Sequence, residues 1–429
     1  MEQIANIPAP VKKERVIIVG GGFAGLELAK KIDKKQYQVI LIDKNNYYQF
    51  QPLLYQVATA GLEPSSISYP LRKMFQNQKD FHVRMCEATR INSSENKVET
   101  DIGYITYDHL VIATGCDTNY FGNESLRDST FSLKSVSESL SIRNRLLLSL
   151  EQALSAKDND EFKELFTFVV IGGGATGVEL AGALADMRKA ILPKDYPELN
   201  FRKMEIHLID AAPRLLGAMS EKSSEKAKDI LTKRGVIIHQ GVHVKSYDKP
   251  IVYLENGEQI RSKNVFWVAG VTPKPIPGIN ESSYLRNRLL VNEYNQVQGY
   301  RNVYALGDTC LLITNETPKG HPQVAQVALQ MARRLAKNLN GKAKGIPFER
   351  FVYKDKGSLA TIGRNAAVAD LGKFHFGGTL AWLLWLFVHI MSIVGMRNRA
   401  AILIDWGWNY FNYDLSLRLL IRHKKTNMQ

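Results

Sequence analysis

The chain has 429 residues, of which 45% are hydrophobic and 23% are charged, a composition typical of a folded globular protein with about two to four domains. Its net charge of +14 favours anionic partners; because no nucleic-acid-binding module is visible, we expect an anionic membrane surface and anionic cofactors, and no nucleic acid. The cysteines Cys86, Cys116 and Cys310 are far apart and form no CxxC motif, which argues against a disulfide framework and a zinc site.

The N-terminal residues bear on the cellular location of the protein. Residues 1–14 lack the apolar core of a signal peptide and the Arg- and Ser-rich pattern of a transit peptide, so we expect a protein of the reducing cytosol. The nine histidines form no spaced cluster, and no metal site is predicted.

Residues 16–43 predict a dinucleotide-binding βαβ unit. An apolar strand leads into Gly20-x-Gly22-x-x-Gly25, a short helical pattern follows, and a second apolar strand ends at Asp43. In such a unit the first glycine allows a tight turn, the second lets the backbone approach a pyrophosphate, and the third lets the helix pack on the strand. Asp43 follows at close to the spacing of about 20 residues expected for a ribose-binding carboxylate.

Two further segments are candidates to contact this nucleotide. Residues 45–61 are rich in aromatic and amide side chains, which is compatible with a loop that covers a cofactor and equally with an ordinary packed loop. The apolar strand from His109 ends in Ala113-Thr114-Gly115, and small residues let a strand end lie against a bound nucleotide.

Residues 168–210 predict a second dinucleotide-binding unit. An apolar strand leads into Gly172-x-Gly174-x-x-Gly177, and a later strand ends at Asp210. The interval is longer than the usual spacing of about 20 residues, and we attribute the excess to an extension over residues 189–203. Because Asp210 accepts from a 2′-hydroxyl and repels a 2′-phosphate, the pattern favours NADH over NADPH, although Arg214 argues the other way.

The middle of the chain adds two strand ends and three helices. Helices are expected over residues 133–155 and 221–235. One strand ends in Ala269-Gly270, and another meets Gly307-Asp308. A third helix is expected from Pro322 to Gly341. It carries Gln326 and Gln330 on one face, where the two amides either clamp carbonyl oxygens or form a solvated polar stripe.

The C-terminal region has a different character. Residues 378–396 carry no formal charge, and four of the five tryptophans follow residue 380. Basic residues come next, at Arg397, Arg399, Arg418, Arg422, Lys424 and Lys425. The apolar run is borderline for a spanning helix, which needs about 20 residues, and residues 402–420 suit an amphipathic helix in the membrane interface. Monotopic attachment is favoured, with a dimer interface or core helix and a spanning helix as alternatives.

Four motifs relate the chain to a known family. The two dinucleotide folds, the second inserted before the returning Gly307-Asp308, resemble the two-dinucleotide-binding-domain flavoproteins. Residues 20–26 (GGGFAGL), 50–55 (FQPLLY), 325–330 (AQVALQ) and 381–389 (AWLLWLFVH) resemble the type II NADH dehydrogenases, the non-pumping NADH:quinone oxidoreductases. The AQxAxQ pattern is the most specific of the four, and the resemblance covers nearly the whole chain.

The resemblance implies a cofactor for each unit and a role for individual residues. FAD is expected in the first unit and NADH in the second. The implied FAD contacts are Gly20, Gly22, Phe23, Ala24, Gly25, Asp43, Lys44, Thr114, Gly115, Gly307, Asp308, Ala325 and Gln326. The implied NADH contacts are Gly172, Gly174, Gly177, Asp210 and Gly270. Gln326 and Gln330 are expected to line the quinone pocket. Glu179 is expected to be an acid near the nicotinamide and the flavin; the alternative is that it only stabilises its helix, because the helix dipole favours a carboxylate near the N-terminus. Lys373 is a candidate at the quinone entrance.

The expected fold is α/β, with two Rossmann-like dinucleotide-binding domains and a C-terminal membrane-attachment region. We assign residues 1–125 and 295–345 to the FAD-binding domain, 165–285 to the NADH-binding domain and 350–429 to the membrane-associated region. A homodimer is expected at the cytoplasmic face of the cell membrane, passing electrons from NADH through FAD to ubiquinone or menaquinone. The positive end of the helix near Pro322 is expected at the flavin pyrimidine edge. No set of spanning helices is predicted, so we expect no proton pumping.

Two other functions fit parts of the pattern. A sulfide:quinone oxidoreductase shares this architecture, but its chemistry needs paired redox cysteines at the flavin; Cys116 and Cys310, each after a strand end, are the candidates. A membrane-bound flavin or NADH sensor without turnover needs only the cofactor folds and the basic tail. Disulfide reductases are disfavoured, because no cysteines are closely spaced.

Overall fold

The structure is a computed structural model that describes residues 2–342, 344–412 and 417–420. The basic residues Arg422, Lys424 and Lys425, which the sequence pattern relates to membrane binding, lie outside the described residues. The chain divides into two compact units. The first comprises Met1–Tyr48, Tyr69–Asp117 and Val271–Asp355, and the second comprises Gln49–Ser68, Thr118–Gly270 and Lys356–Gln429.

The first unit is built on a five-stranded parallel sheet. Its strands lie in the order Val303–Ala305, His109–Ile112, Glu14–Val19, Tyr37–Asp43 and Phe81–Met85. Ile17 and Ile18 are fully buried in the central strand, as expected for a sheet covered on both faces. The helices Phe23–Lys31 and Ala325–Lys342 contact each other, and the Tyr37 hydroxyl donates to the Leu339 carbonyl at 2.7 Å.

Smaller elements complete the first unit. An antiparallel sheet joins Ala88–Asn92, Lys97–Thr100 and Gly103–Thr106. A second small sheet joins Tyr284–Leu285, Arg288–Val291 and Cys310–Leu312, and a short helix spans Leu71–Met74.

The second unit repeats the parallel sheet. Its strands lie in the order Phe131–Ser132, Asn264–Trp267, Thr167–Ile171, Glu205–Asp210 and Ile237–Gln240. The α-helices of this unit are Leu54–Ala58, Glu124–Ser129, Val136–Ala153, Asn159–Phe166, Ala175–Ala190, Leu192–Asp195, Glu221–Lys233, Thr379–Ser392 and Met396–Asn412. An antiparallel sheet joins Val244–Asp248, Ile251–Leu254 and Gln259–Arg261.

The α/β fold with two Rossmann-like sheets is therefore confirmed, and most predicted elements are present. The helices expected over residues 133–155 and 221–235 are observed at Val136–Ala153 and Glu221–Lys233. The extension over residues 189–203 contains the short helix Leu192–Asp195 and a 3₁₀ turn at Phe201–Lys203.

Two helix boundaries were predicted wrongly. The helix expected from Pro322 begins at Ala325, because the Val324 N–H bonds to the Pro322 carbonyl in a tight turn and the first helical bonds accept at Val324. The amphipathic helix expected over residues 402–420 spans Met396–Asn412. It starts earlier because Gly395, at φ +89°, ends the preceding segment and its carbonyl accepts the first helical bond from Arg399.

A three-stranded antiparallel sheet positions the C-terminal helices within the second unit. Its strands are Ser358–Gly363, Ala366–Leu371 and Phe374–Gly378. Gly182 permits the close approach of helix Ala175–Ala190, since a Cβ there would lie 2.2 Å from the Ile362 carbonyl oxygen. Within the described residues, no helix combines the length and apolar character needed to cross a membrane.

Asp370 fixes this sheet to helix Glu221–Lys233. Its carboxylate accepts hydrogen bonds from the Ser220 N–H at 2.6 Å, the Ser220 hydroxyl at 2.9 Å and the Ser223 hydroxyl at 2.7 Å. His375 Nδ1 lies at 2.8 Å. A carboxylate at a helix N-terminus also interacts favourably with the helix dipole. Burial opposes ionisation, but these four hydrogen bonds outweigh it and hold the pKa of Asp370 below its ordinary value.

We predict that Asp370→Asn lowers the free energy of unfolding by about 1–3 kcal/mol at neutral pH, since hydrogen bonds to a charged group are lost. Because the folded pKa is depressed, the stabilisation is present above the ordinary Asp pKa and is lost as pH falls through the lower, folded value. Denaturant unfolding from pH 7 to 3 measures this. Asp229→Asn, an exposed site on the same helix, is the control; equal effects of the two variants would refute the role of Asp370.

Candidate functional site

The glycine turn of the first unit has the geometry of a nucleotide site. Gly20 has φ +104°, and a Cβ there would lie 2.3 Å from the Ala113 carbonyl oxygen. A Cβ at Gly25 would lie 1.8 Å from the Gly20 carbonyl oxygen, so only glycine lets helix Phe23–Lys31 start against the strand. At Gly22 a Cβ would meet no atom within 4 Å. The first and third glycines thus serve the fold, whereas Gly22 faces open space.

Asp43 lies beside this turn. One carboxylate oxygen accepts from the Gly21 N–H at 2.6 Å and the other from the Asn45 N–H at 2.7 Å. Burial raises the pKa of Asp43, which these two hydrogen bonds partly offset. Each oxygen keeps a further lone pair, so the carboxylate can still accept from a ribose hydroxyl.

Two predicted FAD contacts from distant parts of the sequence, Ala24 and Gly307, meet in the first unit. A Cβ at Gly307 would lie 3.0 Å from the Ala328 Cβ and 3.6 Å from the Ala24 Cβ. The returning Gly307-Asp308 therefore contacts both the first helix and the helix Ala325–Lys342. Gly115, at φ +71°, would place a Cβ in open space, and the Thr114 hydroxyl bonds to that of Thr309 at 3.3 Å.

The second unit reproduces this geometry. Gly172 has φ +116°, and a Cβ at Gly177 would lie 1.7 Å from the Gly172 carbonyl oxygen. At Gly174 a Cβ would meet nothing within 4 Å. The Asp210 carboxylate accepts from the Gly173 N–H at 2.9 Å and from the Ala212 N–H at 3.1 Å. The predicted contact Gly270, at φ +68°, follows the end of the neighbouring strand Asn264–Trp267.

Both turns fit the pyrophosphate and ribose of a dinucleotide. Each offers an open position at the second glycine, a helix N-terminus directly after it, and a carboxylate at the end of the next strand. Arg214, the residue that argued for NADPH, donates to the Gly217 carbonyl at 3.0 Å. Of the other predicted contacts, Phe23 packs edge-on against Tyr48 at 5.9 Å between ring centres.

The two glutamines are placed unequally on helix Ala325–Lys342. Both are half-buried. The Gln330 amide pairs with the backbone of Lys354, donating to its carbonyl at 2.9 Å and accepting from its N–H at 3.0 Å. Gln330 therefore holds an irregular segment against the helix, a role that its spacing from Gln326 did not predict.

The cysteines do not form the redox pair of a sulfide oxidoreductase. Cys310 is buried and burial raises the pKa of its thiol to about 12, the opposite of the low pKa that activates a redox cysteine. Cys116 lies 2.9 Å from the Gln323 amide nitrogen. Within the described residues, none of the three cysteines forms a disulfide. Within the described residues no group of three or more ligating side chains is arranged to hold a metal ion.

Glu179 is a buried carboxyl group in the second unit. It lies in the first turns of helix Ala175–Ala190, and only 7% of its surface is exposed. Burial raises its pKa to about 8, although a hydrogen bond from the Thr361 backbone acts in the opposite direction. The indole N–H of Trp385 also lowers this pKa, but its geometry falls short of a regular hydrogen bond. Glu179 is therefore mostly protonated at neutral pH and can donate a proton.

Tyr55 and Trp385, which both interact electrostatically with Glu179, belong to a connected group of aromatic and amide side chains whose contacts sequence reasoning missed. The Trp406 indole N–H donates to the Gln56 side-chain oxygen at 2.8 Å, and the Gln56 amide donates to the Tyr55 hydroxyl at 2.8 Å. Tyr55 packs edge-on against Trp385 at 6.4 Å. The segment of residues 45–61 and the motif at residues 381–389 contain three of these residues, but neither pattern predicted which side chains pair. Lys373, the predicted entrance residue, lies in the turn between two strands of the C-terminal sheet.

Comparison with known proteins agrees with this geometry. Residues 14–332 match the family model of the pyridine nucleotide-disulphide oxidoreductases, and residues 356–412 match that of the NDH2 C-terminal domain. Two type II NADH:quinone oxidoreductases of Mycobacterium tuberculosis (strain ATCC 25618 / H37Rv) are similar along their length. Ndh is 33% identical, and the match covers 92% of this chain and 88% of Ndh. NdhA is 35% identical, and the match covers 93% of this chain and 87% of NdhA.

Solved structures share the fold. The structure of NDH2 from Plasmodium falciparum in complex with NADH superposes with a TM-score of 0.88 at 22% identity, covering 96% of this chain and 100% of that one. The sulfide:quinone oxidoreductase of Aquifex aeolicus gives a lower TM-score, 0.70, at 19% identity over 94% and 96%. With its two glycine turns, its two strand-end carboxylates and a matched C-terminal domain, this chain belongs to the type II NADH:quinone oxidoreductase family.

Proposed function

We propose that this protein oxidises NADH and reduces a quinone through FAD, without pumping protons. The observation that carries the proposal is the pair of complete dinucleotide turns, one in each parallel sheet, in a chain that belongs to this family. When bound, FAD accepts a hydride from NADH and passes two electrons on to a quinone. Ubiquinone and menaquinone are both candidate acceptors.

We assign FAD to the first unit and NADH to the second. The assignment keeps the division made from the sequence, with residues 1–125 and 295–345 for FAD, 165–285 for NADH and 350–429 for the membrane. The first turn supports it, because Gly307 lies against both Ala24 and Ala328, as expected where a returning segment closes around one cofactor. In the second unit the Asp210 carboxylate accepts from the 2′-hydroxyl of an unphosphorylated ribose and repels a 2′-phosphate. Each carboxylate then orients a ribose, and each helix N-terminus binds a pyrophosphate.

We assign the quinone contact to Gln326, with Gln330 positioning the adjacent segment. A side-chain amide donates a hydrogen bond to a quinone carbonyl oxygen. Because Gln330 already pairs with the Lys354 backbone, a Gln330 variant also frees that segment. A Gln326 variant leaves the pairing of Gln330 with Lys354 in place, so we test the assignment there.

NADH oxidation by purified protein with a short-chain quinone tests the function and this site together. We expect turnover with NADH well above that with NADPH. Gln326→Ala should lower kcat/KM for quinone about 5- to 30-fold, the loss of roughly one hydrogen bond, without changing flavin reduction by NADH. Gln78→Ala, an exposed amide in the same unit, is the control. A Gln326 variant that slows flavin reduction instead would refute the assignment.

We propose that the C-terminal helices attach the protein to the cytoplasmic face of the cell membrane. Helix Thr379–Ser392 exposes Leu380, Leu383, Phe387 and Met391, at helical spacing, and helix Met396–Asn412 exposes Leu403, Ile404, Trp408 and Phe411. Exposed apolar faces of this size mark a membrane or protein interface. The net charge of +14 favours anionic lipid. A homodimer through the same face is the competing arrangement.

The double variant Leu383→Glu/Phe387→Glu should separate these two arrangements. We expect wild type to float with vesicles of phosphatidylcholine and phosphatidylglycerol, and the variant to partition at least about tenfold less, since burying each side chain contributes about 1.5–3 kcal/mol. Val11→Glu, an exposed apolar site outside this region, is the control. If wild type does not float and the double variant instead changes a dimer to a monomer in solution, the face is a dimer interface.

We propose that Glu179 supplies a proton during turnover, which its buried, protonated state favours. Because its folded pKa is raised, the folded state binds this proton more tightly than the unfolded chain does. Stability is therefore lost as pH rises from the ordinary value, 4.5, towards about 8.

Glu179→Gln, which mimics the protonated group, should remove that loss. The difference in stability between the variant and wild type should therefore favour the variant more strongly at pH 8 than at pH 5. It should also flatten the pH profile of quinone-dependent turnover near pH 8. Thermal unfolding and steady-state rates across this range measure both effects. Glu225→Gln, exposed on another helix of the same unit, is the control. An unchanged pH profile in the Glu179 variant would remove the residue from proton transfer.

A further inference from the structure

Helix Thr379–Ser392 carries one titratable side chain, His389. The remaining residues of this helix are apolar apart from one threonine and one serine. Near His389 along the helix, Phe387, Val388 and Met391 are exposed. An imidazole in such surroundings is the group most able to hold a polar ligand there.

The hydrogen bond of His389 fixes its tautomer. Its Nδ1 lies 2.8 Å from the carbonyl oxygen of Trp385. A carbonyl oxygen only accepts, so Nδ1 must carry the hydrogen. Burial lowers the pKa of His389 to about 4, and the ring is neutral at pH 7. A neutral imidazole has a single N–H, so Nε2 is a bare acceptor.

The surroundings hold the ring in place but leave Nε2 unpaired. The imidazole stacks on the Trp385 indole with 4.0 Å between ring centres, and Phe50 lies edge-on at 6.1 Å. In the described part of the chain, Nε2 has no hydrogen-bond partner and is not among the fully enclosed polar atoms. A rigid acceptor in apolar surroundings is therefore open to a ligand.

We propose that His389 Nε2 accepts a hydrogen bond from a hydroxyl of the quinol product. A quinone carries carbonyl oxygens, which are acceptors and cannot pair with a second acceptor. A quinol carries O–H donors in the same positions. His389 thus stabilises bound quinol relative to bound quinone through a hydrogen bond alone, and the proton stays on the quinol oxygen. The inference rests on the proposed quinone reduction and adds a residue that distinguishes its product from its substrate.

Two amide variants of His389 distinguish the role of Nδ1 from the role of Nε2. In His389→Asn the shorter amide reaches the Nδ1 position and keeps a donor for the Trp385 carbonyl, but it lacks an acceptor at Nε2. In His389→Gln the longer amide reaches the Nε2 position with its oxygen. The measurement is inhibition of NADH oxidation by a short-chain quinol under anaerobic conditions, together with the KM for the matching quinone.

We expect His389→Asn to raise the quinol inhibition constant about tenfold, the effect of one lost hydrogen bond, and to change the quinone KM by less than about twofold. His389→Gln should keep the quinol constant within about twofold of wild type. Equal weakening of quinone and quinol, or an unchanged constant in the Asn variant, would overturn the proposal, and water is then the partner of Nε2.

The test is separable from the proposed function and from misfolding. If wild type does not reduce quinone, the proposed function fails, and tryptophan fluorescence titration with quinol still measures its affinity for the His389 variants. Thermal unfolding and flavin content are measured first, to establish that each variant is folded and binds flavin as wild type does. If His389→Asn does not fold, His389→Leu serves as the acceptor-free variant with the same expected results.

Discussion

The hydrogen bond from a backbone N–H in the glycine turn to the carboxylate at the end of the next strand is the constraint on which both nucleotide sites depend. Gly21 donates to Asp43 in one unit and Gly173 to Asp210 in the other. Each bond ties the turn to the neighbouring strand, and the tight glycine contacts then place the helix N-terminus beside the open second glycine. The proposed ribose and pyrophosphate contacts therefore depend on one local arrangement used twice.

The C-terminal region depends on a different constraint, which is the burial of a carboxyl group. Gly182 lets the C-terminal sheet approach helix Ala175–Ala190, and this packing covers Glu179 with Thr361 and Trp385. The same sheet is fixed elsewhere by Asp370. Helix Thr379–Ser392 therefore contributes an apolar outer face and, from Trp385, a wall of the Glu179 environment. The proposed membrane attachment and the proposed proton transfer therefore both involve this helix.

The glycine turns were largely predictable from the sequence, because the approach of Gly25 to Gly20 and the bond to Asp43 lie within one βαβ unit. The contact of Gly20 with the Ala113 carbonyl was not, because Ala113 follows a strand outside that unit. The hydrogen bond between Trp406 and Gln56 could not be predicted, because the two residues are 350 positions apart and neither residue type indicates its partner. Spacing placed Gln326 and Gln330 on one face, yet the Lys354 backbone that pairs with Gln330 lies in an irregular segment without any motif. The start at Ala325 was missed because Pro322 suits both a first helical position and the turn that it occupies.

In the proposed reaction, one bound flavin is reduced by NADH and reoxidised by quinone. An anaerobic single-turnover experiment that follows flavin absorbance tests it most directly. We expect NADH to bleach the flavin, and a short-chain ubiquinone or menaquinone to restore the oxidised spectrum in a separate, faster or comparable step. A flavin that NADH reduces but quinone leaves reduced would contradict the claim and favour a cofactor-binding sensor. A flavin that NADH does not reduce would contradict the assignment of the second unit.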